Sequence, residues 1–216
     1  MCGRFSLGST TEAISSFFKG LTIPLPLVPR YNIAPSQDVL AIRSEYEPVM
    51  LRWGLIPKWA KDISIGYKMI NARAETVAEK SSFKSAYRSR RCLIPADGFY
   101  EWKKEGAHKQ PYHIRKADRK LFCFAGLWEE WACKSTGGLI ESCTIITTEA
   151  NSLLKPIHHR MPAVILPEAF GRWLASDSVD ELIEPYEWER FEAVPVSTFV
   201  NNASNQGFEC IERINS

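Results

Sequence analysis

Residues 91–131 read as a succession of strands separated only by turns. Cys92-Leu93-Ile94, 98–103, 112–115 and 121–129 are short β-rich runs, while Lys104-Glu105-Gly106 and Ala117-Asp118-Arg119 carry turn-forming residues. A further strand is predicted at 142–147 after the turn pair Gly137-Gly138, and earlier the runs 38–42 and 48–55 can pair as a hairpin. Helices are few. Ser9-Thr10-Thr11-Glu12 resembles a capping box ahead of Ile14, Phe17 and Phe18 at helical spacing. Pro24, Pro26 and Pro29 then exclude regular structure over 21–30. Helices are also predicted over 75–87, where Phe83 and Tyr87 stand four apart, from Thr147 or Thr148 through 154, from Pro167 to 174, and over 179–183. Final strands are predicted at 193–196 and 209–211. Strands outnumber helices and do not alternate with them, which predicts an α+β fold with a mixed or antiparallel, barrel-like sheet flanked by helices.

The chain of 216 residues shows no linker and no repeat, so a single domain over 1–216 is expected. With 45% hydrophobic and 24% charged residues it has the composition of a folded globule and not of a disordered chain. No run approaches the roughly 18 apolar residues of a membrane-spanning helix. The start Met1-Cys2-Gly3-Arg4-Phe5 lacks the pattern of a secretory signal, so a soluble cytoplasmic protein is expected, away from membranes. A net charge of +2 neither requires nor excludes nucleic acid; phosphate binding would rest on local arginine placement.

The six cysteines form no CxxC pair, which argues against a zinc site of finger type, and without an export signal a disulfide framework is not expected. Cys92, Cys123 and Cys143 lie inside apolar strand runs and read as small buried hydrophobes. Cys2 differs because it follows the initiator Met. Removal of Met1 would leave an N-terminal cysteine whose amine, with a reference pKa of about 7.7–8.0, and thiol, about 8.5, would both be partly deprotonated near neutral pH. Such a 1,2-aminothiol condenses with an aldehyde: the amine forms an imine and the thiolate closes a thiazolidine ring. The alternative is a cysteine at rest in an apolar N-terminal strand.

Other segments carry candidate chemistry. Asn71-Ala72-Arg73-Ala74-Glu75 reads as a polar site or as a helix start with Asn71 at the cap. In Asp97-Gly98-Phe99-Tyr100-Glu101-Trp102, a strand puts Glu101 on the face of Phe99 and Lys103, where aromatics can desolvate it and raise its pKa, or at a wet sheet edge. Ile157-His158-His159-Arg160-Met161-Pro162 pairs two histidines with an arginine, an acid/base site or a solvated loop; neighbouring residues on a regular element point apart and seldom chelate one metal. Tryptophans near basic residues, such as Trp53 beside Arg52 and Trp102 beside Lys103, fit single-stranded nucleic acid as well as a core. The basic run Lys80, Lys84, Arg88, Arg90 and Arg91 fits a solvated helix face.

Taken in order, Cys2-Gly3-Arg4-Phe5, Tyr31-Asn32-Ile33-Ala34-Pro35, Trp53-Gly54-Leu55-Ile56-Pro57, Asn71-Ala72-Arg73-Ala74-Glu75, Gly98-Phe99-Tyr100-Glu101-Trp102 and His158-His159-Arg160-Met161-Pro162 resemble the SRAP family, named SOS-response-associated peptidases and understood as abasic-site processing proteins. The likeness runs from Cys2 to about Glu209. It implies a protein that senses abasic sites in single-stranded DNA and crosslinks to them through a thiazolidine on Cys2 after autoproteolytic loss of Met1, with AP-lyase chemistry as a side activity. By the same resemblance Cys2 supplies both nucleophiles, Glu101 shuttles protons near the amine, His158 acts as acid and base on the sugar, and Asn71 orients Cys2 or the sugar. Arg4, Arg73 and Arg160 then bind phosphates, Trp102 and Trp53 stack on bases, and Thr147 and Pro35 contact DNA. His159 fills a motif position where acidic residues also occur in the family. No metal or cofactor is implied, and a monomer is expected. The rival readings are a thiol peptidase using Cys2 with His158 and Glu101 or Asn71, and a non-covalent single-strand binding module.

Overall fold

The computed structural model describes residues 2–24, 26–133, 137–176 and 178–214. Its strands are β1 (Phe5–Leu7), β2 (Arg30–Ile33), β3 (Asp38–Ile42), β4 (Pro48–Trp53), β5 (Asn71–Arg73), β6 (Arg91–Ala96), β7 (Gly98–Glu105), β8 (His108–Lys116), β9 (Phe122–Ala132), β10 (Leu139–Glu149), β11 (Arg160–Pro162), β12 (Val164–Ile165) and β13 (Phe191–Pro195). Among the described residues helix is confined to α1 (Thr11–Phe17), α2 (Lys84–Ser89), α3 (Phe170–Ala175) and short 3-10 segments. The fold is α+β. Among the described residues no helix is long and apolar enough to cross a membrane.

β4, β3, β6, β9 and β10 pair in that order, and a parallel β10–β4 contact closes them into a mixed barrel. β6 is buried along its whole length, because one face looks into the barrel and the other is covered by α2 and α3. Cys92, Cys123 and Cys143 are buried, as their apolar surroundings predict. A second, antiparallel sheet runs β13-β8-β7-β1-β2. It packs on the barrel through edge-on aromatic contacts, with Phe5 5.3 Å from Trp53 and 5.6 Å from Phe124, and Phe99 6.0 Å from Phe124. The outer face of β7 is covered separately by the C-terminal segment, which buries Tyr100, Val196, Val200 and Cys210 together.

Two glycines are required by close approach. A Cβ on Gly98 would stand 1.9 Å from His113 Nε2, and one on Gly54, at φ +125°, would stand 2.7 Å from Gly66 O. Gly54 thus turns the chain out of the barrel directly after Trp53.

Several predicted elements differ. Thr10, inside the predicted capping box, is the α1 cap, accepting from Ala13 N–H at 3.2 Å. The helix expected over 75–87 is broken. Asn71–Arg73 is drawn into parallel pairing with β10, and what remains helical over 75–87 is a series of separate turns, of which the last, Phe83–Tyr87, starts α2. The helix expected after Thr147 does not form, because Thr147, Thr148 and Glu149 extend β10 against β11. Asn151 then accepts from Leu154 N–H through Oδ1 at 3.1 Å and holds a tight turn. Phe208–Cys210 is a 3-10 turn instead of a strand, since its task is to seat Cys210 over Tyr100.

Candidate active site at the N-terminal strand

The chain start is fixed by the strand it leads into. In the β1–β7 ladder Phe5 faces Phe99, and Tyr100 N–H donates to Arg4 O at 2.9 Å. Continuing this antiparallel register brings Gly3 opposite Glu101, with Cys2 beside it. From the barrel side, Asn71 Nδ2 donates to Cys2 O at 2.8 Å, and Asn71 Oδ1 is buried with no hydrogen-bond partner among the described residues. Cys2 therefore bridges the two sheets, with a relative exposure of 0%.

Burial sets the electrostatics of this corner. It pushes the Cys2 thiol far above its ordinary value, and the charge of Glu101 adds to the rise. With Met1 attached the exclusion of water around the thiol favours its protonated form, in contrast to the partial ionisation expected of a free N-terminal cysteine in water. While Met1 is attached, the Cys2 nitrogen is a peptide nitrogen. Glu101 is 3% exposed, and burial raises its carboxyl to about 7. It sits inward with Phe99, so the desolvated alternative holds and the wet edge does not.

His158 lies on the approach to β11, which flanks β10 on the side opposite β5. His158 Nδ1 stands 3.0 Å from Arg160 N and 3.2 Å from Arg160 O, so the Arg160 backbone fixes the ring whichever nitrogen carries the proton. Burial lowers the His158 pKa, favouring the neutral form. The His159 ring stacks on it at 4.3 Å.

The expected DNA contacts divide by accessibility. Trp102 is half-buried, its Nε1–H held by Asn201 Oδ1 at 2.8 Å, with the Arg4 guanidinium 6.0 Å from its ring. Arg4 is tethered through Nη1 to Asn32 Oδ1 (2.7 Å) and Val200 O (2.9 Å). Arg73 is exposed at the end of β5. Pro35 is half-buried in the turn between β2 and β3. Trp53, by contrast, is 0% exposed and donates to Ile70 O at 2.9 Å; it is a core residue and offers no face to a base. Thr147 is equally buried, its hydroxyl against Ala72 O at 3.4 Å, so its side chain touches no DNA in this conformation. Arg160 is also buried. It grips Glu75 with both Nη atoms (2.6 and 3.0 Å) and Thr147 O at 2.6 Å, leaving little of the guanidinium for a phosphate.

Three residues in supporting positions were given no role from sequence: Glu75, Asn32 and Asn201. Glu75 and Asn32 fall inside quoted motifs, which was the available signal. Asn201 reaches Trp102 only through the tertiary fold.

A sequence model of the family described as SOS response associated peptidase (SRAP) matches residues 1–203. The chain belongs to the SRAP family. Among SRAP relatives, the abasic site processing protein YoqW of Bacillus subtilis is 46% identical over 98% of this chain and 99% of its own. YedK of Escherichia coli, named in the same way, is 34% identical over 99% of this chain and 100% of its own. The vertebrate protein HMCES of Xenopus tropicalis, also named an abasic site processing protein, is 34% identical over 86% of this chain and 66% of its own. A crystal structure from Bacteroides thetaiotaomicron shares the SRAP fold with a TM-score of 0.90 at 30% identity, covering 99% of this chain and 100% of that one.

Proposed function

We propose that this SRAP protein captures abasic sites in single-stranded DNA covalently, through the amine and thiol of Cys2. The observation that carries this reading is the buried Glu101 carboxyl beside Cys2, whose carbonyl is anchored by Asn71, in surroundings that raise the carboxyl to about 7. Burying a carboxylate costs stability, and the same burial gives Glu101 what a proton shuttle needs, a pKa near the working pH.

Hydrolysis of the Met1–Cys2 amide, assigned to the chain itself, first releases the α-amine. An abasic sugar equilibrates between a closed hemiacetal and an open aldehyde. His158 passes a proton to the ring oxygen as the ring opens and regains one from the C1′ hydroxyl. The amine attacks C1′. Glu101 relays both amine protons in turn from nitrogen to the former carbonyl oxygen, first to give the carbinolamine and then to release water and leave the imine. The Cys2 thiol then adds across the C=N bond. A C–S bond forms, the thiol proton passes to nitrogen through Glu101, and a five-membered thiazolidine closes. The net change is loss of one water. Elimination of the 3′ phosphate from the imine, before the thiol adds, is the lyase side reaction. Trp102 stacks on a neighbouring base, and Arg73 and Arg4 meet flanking phosphates.

The test is incubation with a single-stranded oligonucleotide carrying one abasic site, followed by denaturing electrophoresis. Wild type should give a protein–DNA band that survives denaturation. Cys2→Ala should give none, and Glu101→Gln should form it roughly 100-fold or more slowly. An equally strong band from Cys2→Ala would overturn the reading in favour of a non-covalent module.

A further inference from the structure

Two open cavities, of about 420 and 380 Å³, meet at Leu166, Glu168 and Tyr186. One is walled by β12 and the other by the start of β13, the end strands of the two sheets. Cys2, Asn71, Glu101 and His158 line neither cavity, and nor do Arg4, Arg73 and Trp102. The joint floor is apolar. Trp188 and Phe191 lie on one side, Ile165 and Leu182 on the other, and Leu166, 40% exposed, stands between them.

The fold holds this cleft open. Tyr186 Oη donates to Val164 O at 3.1 Å, and Tyr186 O accepts from Asn151 Nδ2 at 3.3 Å, so the ring is pinned across β12. The Trp188 ring packs on Phe191 at 4.8 Å and edge-on against Phe99 at 5.9 Å. Its Nε1–H is buried with no hydrogen-bond partner among the described residues, a donor left without an acceptor. Charge on the walls is lopsided. Asp118, Glu168, Glu181, Glu184, Glu187 and Glu189 stand against Lys116, Arg172 and Arg190, in a chain whose net charge is +2. Arg172 is taken up by Glu181. Glu168, Glu184 and Glu189 make no ion pair within 4 Å among the described residues.

We infer that this cleft docks a basic peptide segment of a partner protein, with an aliphatic side chain of the peptide on Leu166 and its lysines or arginines against Glu168, Glu184 and Glu189. Unpaired carboxylates repel the phosphates of nucleic acid and attract ammonium and guanidinium groups. An apolar centre inside a charged rim is the build of a protein interface: the centre holds the partner, and the rim selects and steers it. The cleft shares no lining residue with the candidate active site, so it can be filled while Arg4 and Arg73 stay open to DNA. The inference does not depend on the chemistry of Cys2.

The experiment uses the full chain and a fluorescein-labelled hexapeptide of alternating lysine and leucine, read by anisotropy. Hexapeptides of glutamate with leucine and of lysine with glycine are the controls. The lysine–leucine peptide should bind roughly tenfold tighter than either control, and more weakly as salt rises. Glu168→Lys combined with Glu189→Lys should weaken it roughly tenfold, and Leu166→Ser roughly fivefold. All three positions are exposed, so melting temperatures should stay at the wild-type value. Saturating single-stranded DNA should leave the peptide bound. No binding, equal binding of the three peptides, unchanged binding in both variants, or displacement by DNA would each overturn the inference. Self-association of the chain that Leu166→Ser abolishes, with no peptide bound, would overturn it in favour of a second copy.

Discussion

Glu101→Gln should make the protein more stable at alkaline pH and less active. Burial raises the carboxyl from 4.5 to about 7, so between these values the folded state holds a proton that the unfolded state has released. Stability contributed by that proton is complete below pH 4.5 and is lost as pH rises through 7. The difference amounts to about 3 kcal/mol, with no discount for solvent because the side chain is 3% exposed. Glutamine keeps the shape, stays neutral at every pH and removes the loss. His113, which burial lowers to about 3, titrates in the opposite sense, costing stability as pH falls below 6.5. It is present in both proteins and cancels in their difference. Urea unfolding of wild type and variant at pH 5 and pH 8 checks this. The variant should match wild type at pH 5 within about 1 kcal/mol and exceed it at pH 8 by about 2–3 kcal/mol. An unchanged difference at the two pH values would refute the claim that Glu101 is desolvated. Loss of both stability and pH response would mean that the carboxylate is a structural anchor instead of a poised acid.

Two tryptophans quoted for the same role should separate cleanly. Trp102→Ala should weaken single-strand binding by about 1–3 kcal/mol, read by anisotropy, with little change in melting temperature. Trp53→Ala should cost about 3–5 kcal/mol of stability, read by chemical denaturation, because its ring fills the contact between the sheets. Gly98→Ala should destabilise by about 1–3 kcal/mol or more, since its methyl would overlap His113 Nε2 and part β7 from β8; a wild-type melting curve would contradict that packing.

Local patterns were legible in the sequence wherever the deciding contacts are themselves local. Gly98 to Trp102 alternates in β7 as expected, and the 38–42 and 48–55 runs do form a hairpin, because pleat and turn chemistry are properties of neighbouring residues. The barrel was legible only as a tendency: its closure depends on the parallel β10–β4 pairing, between segments far apart in the chain. The same distance explains what changed at the site. Arg160 reads as an unpaired cation until Glu75, 85 residues away, is seen to grip it. Trp53 and Trp102 have equal claims in sequence, and only the packing of Phe5 on one and the anchoring of the other by Asn201 tell core from surface. The thiol of Cys2 behaves in sequence as a thiol in water, and burial between two sheets changes that. The identity of Cys2, Asn71 and Glu101 as candidates was legible because each sits in a motif. Their convergence is a result of the β1–β7 register and the β5–β10 pairing.

Covalent capture through Cys2 is tested most directly by intact mass spectrometry of the protein mixed with a single-stranded oligonucleotide bearing one abasic site, beside a Cys2→Ala control. The expected species has the mass of the chain lacking Met1, plus the oligonucleotide, minus one water, and is absent from the control. Borohydride should leave its mass unmoved, since a thiazolidine has no C=N bond to reduce. No adduct from protein confirmed to begin at Cys2, or an adduct of equal yield from Cys2→Ala, would contradict the mechanism.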